Sequence, residues 1–218
     1  MYRLETGPRP LTVLKRARQG LVVAKHRHGS FGPTATEIEA EWLNAARHGP
    51  VVKLDHVAPT RSLVQTRLAG TASLRTLTIG TSPCGRNNKP KALASIAQLS
   101  SLLPQLAFAV EQLHQAGLAH GQITLEHAIV TGVERDRIVL CSPNTDPSQK
   151  ITSGTDSQAL AKVIADLVPL VTSINRSQGA RWKDLADKAI LDQGSMNARQ
   201  FGTELANLNR SRRWLPFR

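Results

Sequence analysis

The chain has 218 residues, 40% of them hydrophobic, enough in length and apolar content to bury a core, which argues against global disorder. Its 28 Lys and Arg against 16 Asp and Glu leave a formal charge of +12, which favours polyanionic or acidic partners without choosing among them. Aromatics at 4% give little material for base stacking, and two cysteines, Cys84 and Cys141, argue against a disulfide framework or a C-x-x-C metal site.

The opening residues, MYRLETGPRP, have no apolar signal region, and no apolar run approaches the roughly 20 residues that span a bilayer, so a soluble chain is expected. Residues 11–15 and 20–25 are short β-branched runs separated by Ala17-Arg18-Gln19-Gly20, the composition of a hairpin. Residues 35–47 place Ile38, Trp42 and Leu43 at helical spacing, and His48-Gly49-Pro50 stops that helix. Strand composition returns over 51–57 and 62–68 around Ala58-Pro59-Thr60-Arg61, predicting the order β-β-α-β-β.

Residues 78–90, TIGTSPCGRNNKP, read as a linker before a change of architecture. A long amphipathic helix is predicted over 93–116 from Leu99, Leu102, Leu103, Leu106, Val110 and Leu113. Pro104 either kinks it or starts a second helix, and Gly117 ends it. Residues 128–130 and 137–140 predict a hairpin, and the Ser, Pro, Asn and Thr-rich stretch 142–155 precedes a helix from 156 to about 167, short of Pro169. Two more helices fit 182–191 and 198–208, and no internal repeat is present.

Five segments bear on function. Leu21-Val22-Val23-Ala24-Lys25 looks like a strand closing on a phosphate-gripping lysine, the V-A-I-K element. In the helix that follows, Glu39 is placed to pair with that lysine, and Glu41, on a different face, is the fallback. The run from Leu113 to Val130, with His120-Gly121-Gln122 at its centre, looks like a helix end entering an H-R-D-type catalytic loop in an H-G-D form. Cys141-Ser142-Pro143-Asn144 then falls where D-F-G would stand, and Asp156-Ser157-Gln158-Ala159-Leu160-Ala161 looks like the start of the next conserved helix.

In this order the segments resemble the protein kinase superfamily over nearly the whole chain, most of all the small Ser/Thr kinase domains of bacteria. The resemblance implies an α+β, two-lobed kinase-like fold with a small β-rich N-lobe at 1–77, an inter-lobe linker at 78–90, a shortened helical C-lobe at 91–209 and a basic tail at 210–218. It also implies that His120 packs beneath the former active site and that Asp156 accepts hydrogen bonds from the loop backbone, with Thr155 or Asp156 capping its helix. An ion pair of Lys25 with Glu39 in a half-open cleft is expected to contribute ~0.5 to 1 kcal/mol.

The departures from the family pattern fall on its reagents. Gln122 stands at the catalytic aspartate, and a neutral amide is no general base. His127 stands at the metal-binding asparagine and Ser142 at the D-F-G aspartate, which leaves Mg²⁺ without anionic oxygen ligands. Thr124 replaces the loop lysine, and Gly7-Pro8-Arg9-Pro10 replaces the glycine-rich phosphate cradle.

The resemblance so altered implies a catalytically inactive pseudokinase that scaffolds or regulates another protein in the cytoplasm. Weak or absent nucleotide binding, no cofactor and no metal are expected, with Lys25 and Glu39 as vestigial cofactor-site residues. Two other classes stay open. One is an unconventional nucleotide-dependent transferase using Lys25, His127 and Ser142 in altered roles. The other is a basic module for nucleic acid or an anionic membrane surface, with Arg210, Arg212 and Arg213 as the candidate patch. Membrane association, where it occurs, is expected through a partner or a further C-terminal segment.

Overall fold

The computed structural model describes residues 3–4, 11–17, 20–27, 32–67, 69–70, 72–79, 95–131, 137–146, 148–192 and 196–210. The Gly7-Pro8-Arg9-Pro10 turn, the Arg18-Gln19 turn, residues 80–90, Cys84, Arg212, Arg213 and the Arg210 side chain lie outside the described residues. What is described is a mixed α+β fold.

The first half is a five-stranded antiparallel sheet of β1 (Arg3–Leu4), β2 (Leu11–Ala17), β3 (Gly20–His26), β4 (Leu54–Ala58) and β5 (Leu63–Arg67), in the order β1-β2-β3-β5-β4. Lys25 on β3 lies opposite Thr12 on β2 and Val64 on β5, so that position is central in the sheet. Helix α1 (Gly32–Ala45) interrupts the strands and packs against β4 and β5. Its buried positions, Thr36, Glu39, Ala40 and Leu43, recur at helical spacing. Ile38 and Trp42, expected on that face, are only half buried, because polar Thr36 and Glu39 occupy it instead.

A second antiparallel sheet, in the order β6-β7-β8, comprises β6 (Ala72–Ser73), β7 (Ala128–Thr131) and β8 (Arg137–Leu140). Strand β5 ends at Arg67 and β6 begins at Ala72, both before the expected linker at 78–90. Thr78 and Ile79, placed in that linker by composition, close helix α2 (Leu74–Ile79). Burial of Leu74 and Thr78 overrides the loop-like composition, and Thr78 Oγ1 donates to the Leu74 carbonyl at 3.0 Å.

Helices α3 (Ile96–Gln115), α4 (Ser153–Ile174), α5 (Arg176–Leu191) and α6 (Ala198–Arg210) complete the fold. Neither internal proline breaks its helix: Pro104 lies inside α3 and Pro169 inside α4, which runs seven residues past the expected end at 167 to Ile174. A helical proline costs about 3 kcal/mol, whereas burying each of Leu167 and Val171 around Pro169 returns about 1.5–3 kcal/mol. Helix α4 is long and apolar enough by composition to cross a membrane, yet here it packs against α3, α5 and α6.

One hydrophobic core joins Leu43 of α1, Ala46 just after it and Val64 of β5 to the leucines of α3 and to Trp182 and Phe201 of α5 and α6. The segment after α1 stitches the two halves together through backbone bonds, Val52 N–H to the Leu140 carbonyl at 3.0 Å and Leu140 N–H to the Pro50 carbonyl at 2.8 Å.

The α4–α5 contact depends on a missing side chain. A Cβ on Gly179 would lie 2.0 Å from Thr172 Oγ1 and 2.7 Å from its Cα, whereas one on Gly154, in the first turn of α4, would meet nothing closer than 3.6 Å. Gly179→Ala is expected to destabilise by about 1–3 kcal/mol through overpacking, and Gly154→Ala to stabilise by up to about 1 kcal/mol through helix propensity. Denaturant midpoints of the two variants should move in opposite directions.

Candidate functional site

The residues singled out by sequence gather where β3, α1, the loop 119–127, the end of β8 and the start of α4 meet. Lys25 Nζ donates to Glu39 Oε1 and, at 2.7 Å, to Ser142 Oγ. Arg27, just beyond the end of β3, donates through Nη2 to the other Glu39 oxygen at 2.6 Å. Glu39 is 0% exposed and Lys25 7%, so this pair is buried and not in the half-open cleft expected from sequence. Glu41, the fallback partner, is exposed.

Burial pushes the Glu39 carboxyl up, but the Lys25 and Arg27 charges and the hydrogen bonds they donate outweigh it and hold the group below the usual carboxylate value. The estimate of ~0.5 to 1 kcal/mol, proper to an exposed pair, is thereby superseded. Removing one partner of a buried pair costs about 3–5 kcal/mol, and here Arg27 remains to share the charge of Glu39 if Lys25 is lost.

Ser142 follows β8 with φ of 58°, a left-handed conformation that non-glycine residues rarely adopt. Its neighbour Cys141 links outward in two directions: its N–H donates to the His127 carbonyl at 3.0 Å, and its carbonyl accepts from His120 Nε2 at 3.1 Å. Burial pushes the Cys141 thiol up.

His120 is fully buried, with Trp42 edge-on to its ring at a centroid distance of 5.4 Å. Its Nε2 donates to Cys141 and its Nδ1 accepts the Gln122 N–H at 3.3 Å, an arrangement only the neutral ring can make. Burial is the main reason that its pKa is lowered to about 4, with Asp156 opposing and His127 and Lys25 adding to the fall.

Asp156 is 0% exposed and accepts from three donors: His120 N–H and Gly121 N–H, each at 2.7 Å, and His114 Nε2 at 3.0 Å. It is not the helix cap. Thr152 caps α4 and exchanges hydrogen bonds with Thr155 in a capping box, which puts Asp156 one turn inside, facing the loop. Gly121 is held at φ of 71°, and a Cβ there would lie 2.8 Å from the Ile151 side chain and 2.9 Å from Asn144 Cβ.

The structure brings Lys25, Glu39 and Ser142 into contact, and separately His120 with Asp156. Gln122 is exposed, and its carbonyl accepts from His127 Nδ1 at 2.7 Å, so the His127 ring ties the loop to itself. Thr124 Oγ1 accepts the Glu126 N–H at 3.2 Å within the same turn. Among the described residues no group of three or more His, Cys, Asp or Glu side chains could hold a metal ion.

Sequence reasoning missed Arg27, His114 and the role of Trp42, whose Nε1 donates to the Ala119 carbonyl at 2.9 Å. The even spacing of Lys25 and Arg27 on one strand face was the available signal for Arg27. No protein-family model matches the chain, and a search of curated proteins finds no significant match.

Asp156→Ala leaves three donors without their acceptor and is expected to destabilise by at least about 3 kcal/mol. Ser142→Ala, which removes one acceptor from Lys25, should cost less, and Gln122→Ala, at an exposed side chain, should stay within about 0.5 kcal/mol. Denaturant midpoints of the three variants under one condition check the order.

Since His120 titrates at about 4 in the folded chain against 6.5 when unfolded, the unfolded chain binds the extra proton between these values. The contribution of His120 is thus complete above 6.5 and lost as pH falls toward 4, about 3 kcal/mol in all. Stability measured from pH 7 to pH 5 should fall more steeply in the parent chain than in His120→Gln.

Proposed function

We propose that the chain is a catalytically silent, protein-kinase-like module that acts by binding another protein. The observation that carries this reading is the meeting of Lys25, Glu39 and Ser142 at one point. A strand lysine, a helix glutamate and the residue after the hairpin strand converge there, as the phosphate-gripping lysine, its partner and the metal-binding aspartate do in an active kinase. In this reading β1 to β5 with α1 form the small N-lobe, and β6 to β8 with α2 to α6 form a reduced C-lobe. The buried anchoring of His120 and Gly121 on Asp156 supports the same assignment.

The converging groups lack the chemistry of phosphoryl transfer. Ser142 offers a neutral hydroxyl that already accepts from Lys25, and the Lys25 ammonium has spent two of its three donors on Glu39 and Ser142. Gln122 accepts no proton, and His127 Nδ1 is committed to the Gln122 carbonyl. A scaffold whose polar groups satisfy one another is suited to presenting a surface and poorly suited to gripping a metal nucleotide.

The purified chain, given radiolabelled ATP with Mg²⁺ or Mn²⁺, is expected to label neither itself nor generic protein acceptors. Lys25→Met should leave that blank result unchanged. Autophosphorylation that disappears in Lys25→Met would overturn the reading.

A further inference from the structure

Away from the Lys25 network, the loop after His120 and helix α4 enclose a depression of about 290 Å³. Its floor is apolar, since Ile123 and Val163 are both buried. Its rim is polar: Gln122, Lys162 and Asp166 line it and are exposed. Among the described residues, neither Lys162 nor Asp166 makes an ion pair or a side-chain hydrogen bond, and the Gln122 amide is likewise uncommitted. Lysine N-terminal to aspartate at this helical spacing is the weaker orientation for mutual pairing, which leaves both charges available.

We infer that this depression takes an extended segment of a partner protein in which an acidic and a basic residue stand two positions apart. Four residues of helix separate Lys162 from Asp166 by about 6 Å along the axis, with both on one face. Side chains two apart in an extended chain share a face at about 6.7 Å, so an acidic residue meets Lys162 while the basic one meets Asp166. Adjacent residues of an extended chain point to opposite faces and cannot do this. The Gln122 amide carries both donors and an acceptor, the complement of a peptide group between the two charges. The apolar floor of Ile123 and Val163 accepts the stems of those side chains.

The inference rests on the interaction-module reading and names its binding surface. Its test uses the full chain and two fluorescein-labelled peptides, Thr-Val-Glu-Thr-Lys-Val-Thr and Thr-Val-Thr-Glu-Lys-Val-Thr, followed by fluorescence anisotropy. The first should bind and the second should bind about tenfold more weakly or not at all. Lys162→Glu and Asp166→Lys, both at exposed positions, should each weaken the first peptide by about tenfold, and the double exchange should bind in its place the charge-exchanged peptide Thr-Val-Lys-Thr-Glu-Val-Thr.

Equal binding of the two peptides, no binding of either up to millimolar concentration, or single variants that bind as the parent does would overturn the inference. A heparin oligosaccharide that binds, loses affinity in Lys162→Glu and gains it in Asp166→Lys would assign the depression to a polyanion and overturn the peptide assignment. Phosphoryl transfer by the chain alongside intact peptide discrimination would sink the silent-module reading while leaving the surface assigned, so the two failures are distinguishable.

Discussion

The Asp156 carboxylate has no exposed surface, and a charge placed there has to be met by donors from the protein itself. Two backbone N–H groups of the loop and one histidine ring supply them, and in doing so they fix the loop's path onto α4. From that anchor a continuous polar chain runs upward. The His120 ring reaches the Cys141 carbonyl, Cys141 leads into Ser142, Ser142 accepts from Lys25, and Lys25 pairs with Glu39. The path begins in the first turn of α4, passes the segment that follows β8 and Lys25 of β3, and ends on α1.

At the other end stands a second buried carboxylate. Glu39 is met by two cations, Lys25 on β3 and Arg27 just beyond it, which offset the cost of taking it out of water and keep it ionised. The consequence is directional: α1 is oriented by its polar face as much as by Ala40 and Leu43, because Glu39 is buried where Lys25 and Arg27 both reach it. Trp42 adds a third tie, holding α1 to the loop through the Ala119 carbonyl and lying edge-on to His120.

Such a network constrains what the proposed module can do. A phosphate entering beside Lys25 would compete with Ser142 and Glu39 for the same ammonium, so the interior is committed to holding shape. The uncommitted charges lie on the outer face of α4 beside Gln122, where no internal bond is lost when a partner arrives. A rigid interior with unpaired groups at the rim costs little ordering entropy on binding.

The sequence alone determined the elements whose periodicity is local: the hairpin of β2 and β3, the β7–β8 pair, helices α3 and α6, and α5 from Trp182 onward follow from alternation or from a helical repeat of apolar residues, whereas the first six residues of α5, 176–181, were not expected to be helical. It also placed Lys25, Glu39, His120, Ser142 and Asp156 among the residues to watch, through their resemblance to a known pattern. Tertiary structure decided the rest. Pro169 sits inside a helix because core burial on either side outweighs one lost hydrogen bond, and Thr78 is helical because its turn packs inward. Glu39 and not Glu41 is the buried acid, and Thr152 caps α4 where Thr155 or Asp156 was expected to. Lys25 and Ser142 meet across 117 positions of chain, Asp156 and His120 across 36. The stability of a buried charge is set by which donors and counter-charges reach it, and at such separations only the packing of the whole chain brings them within reach.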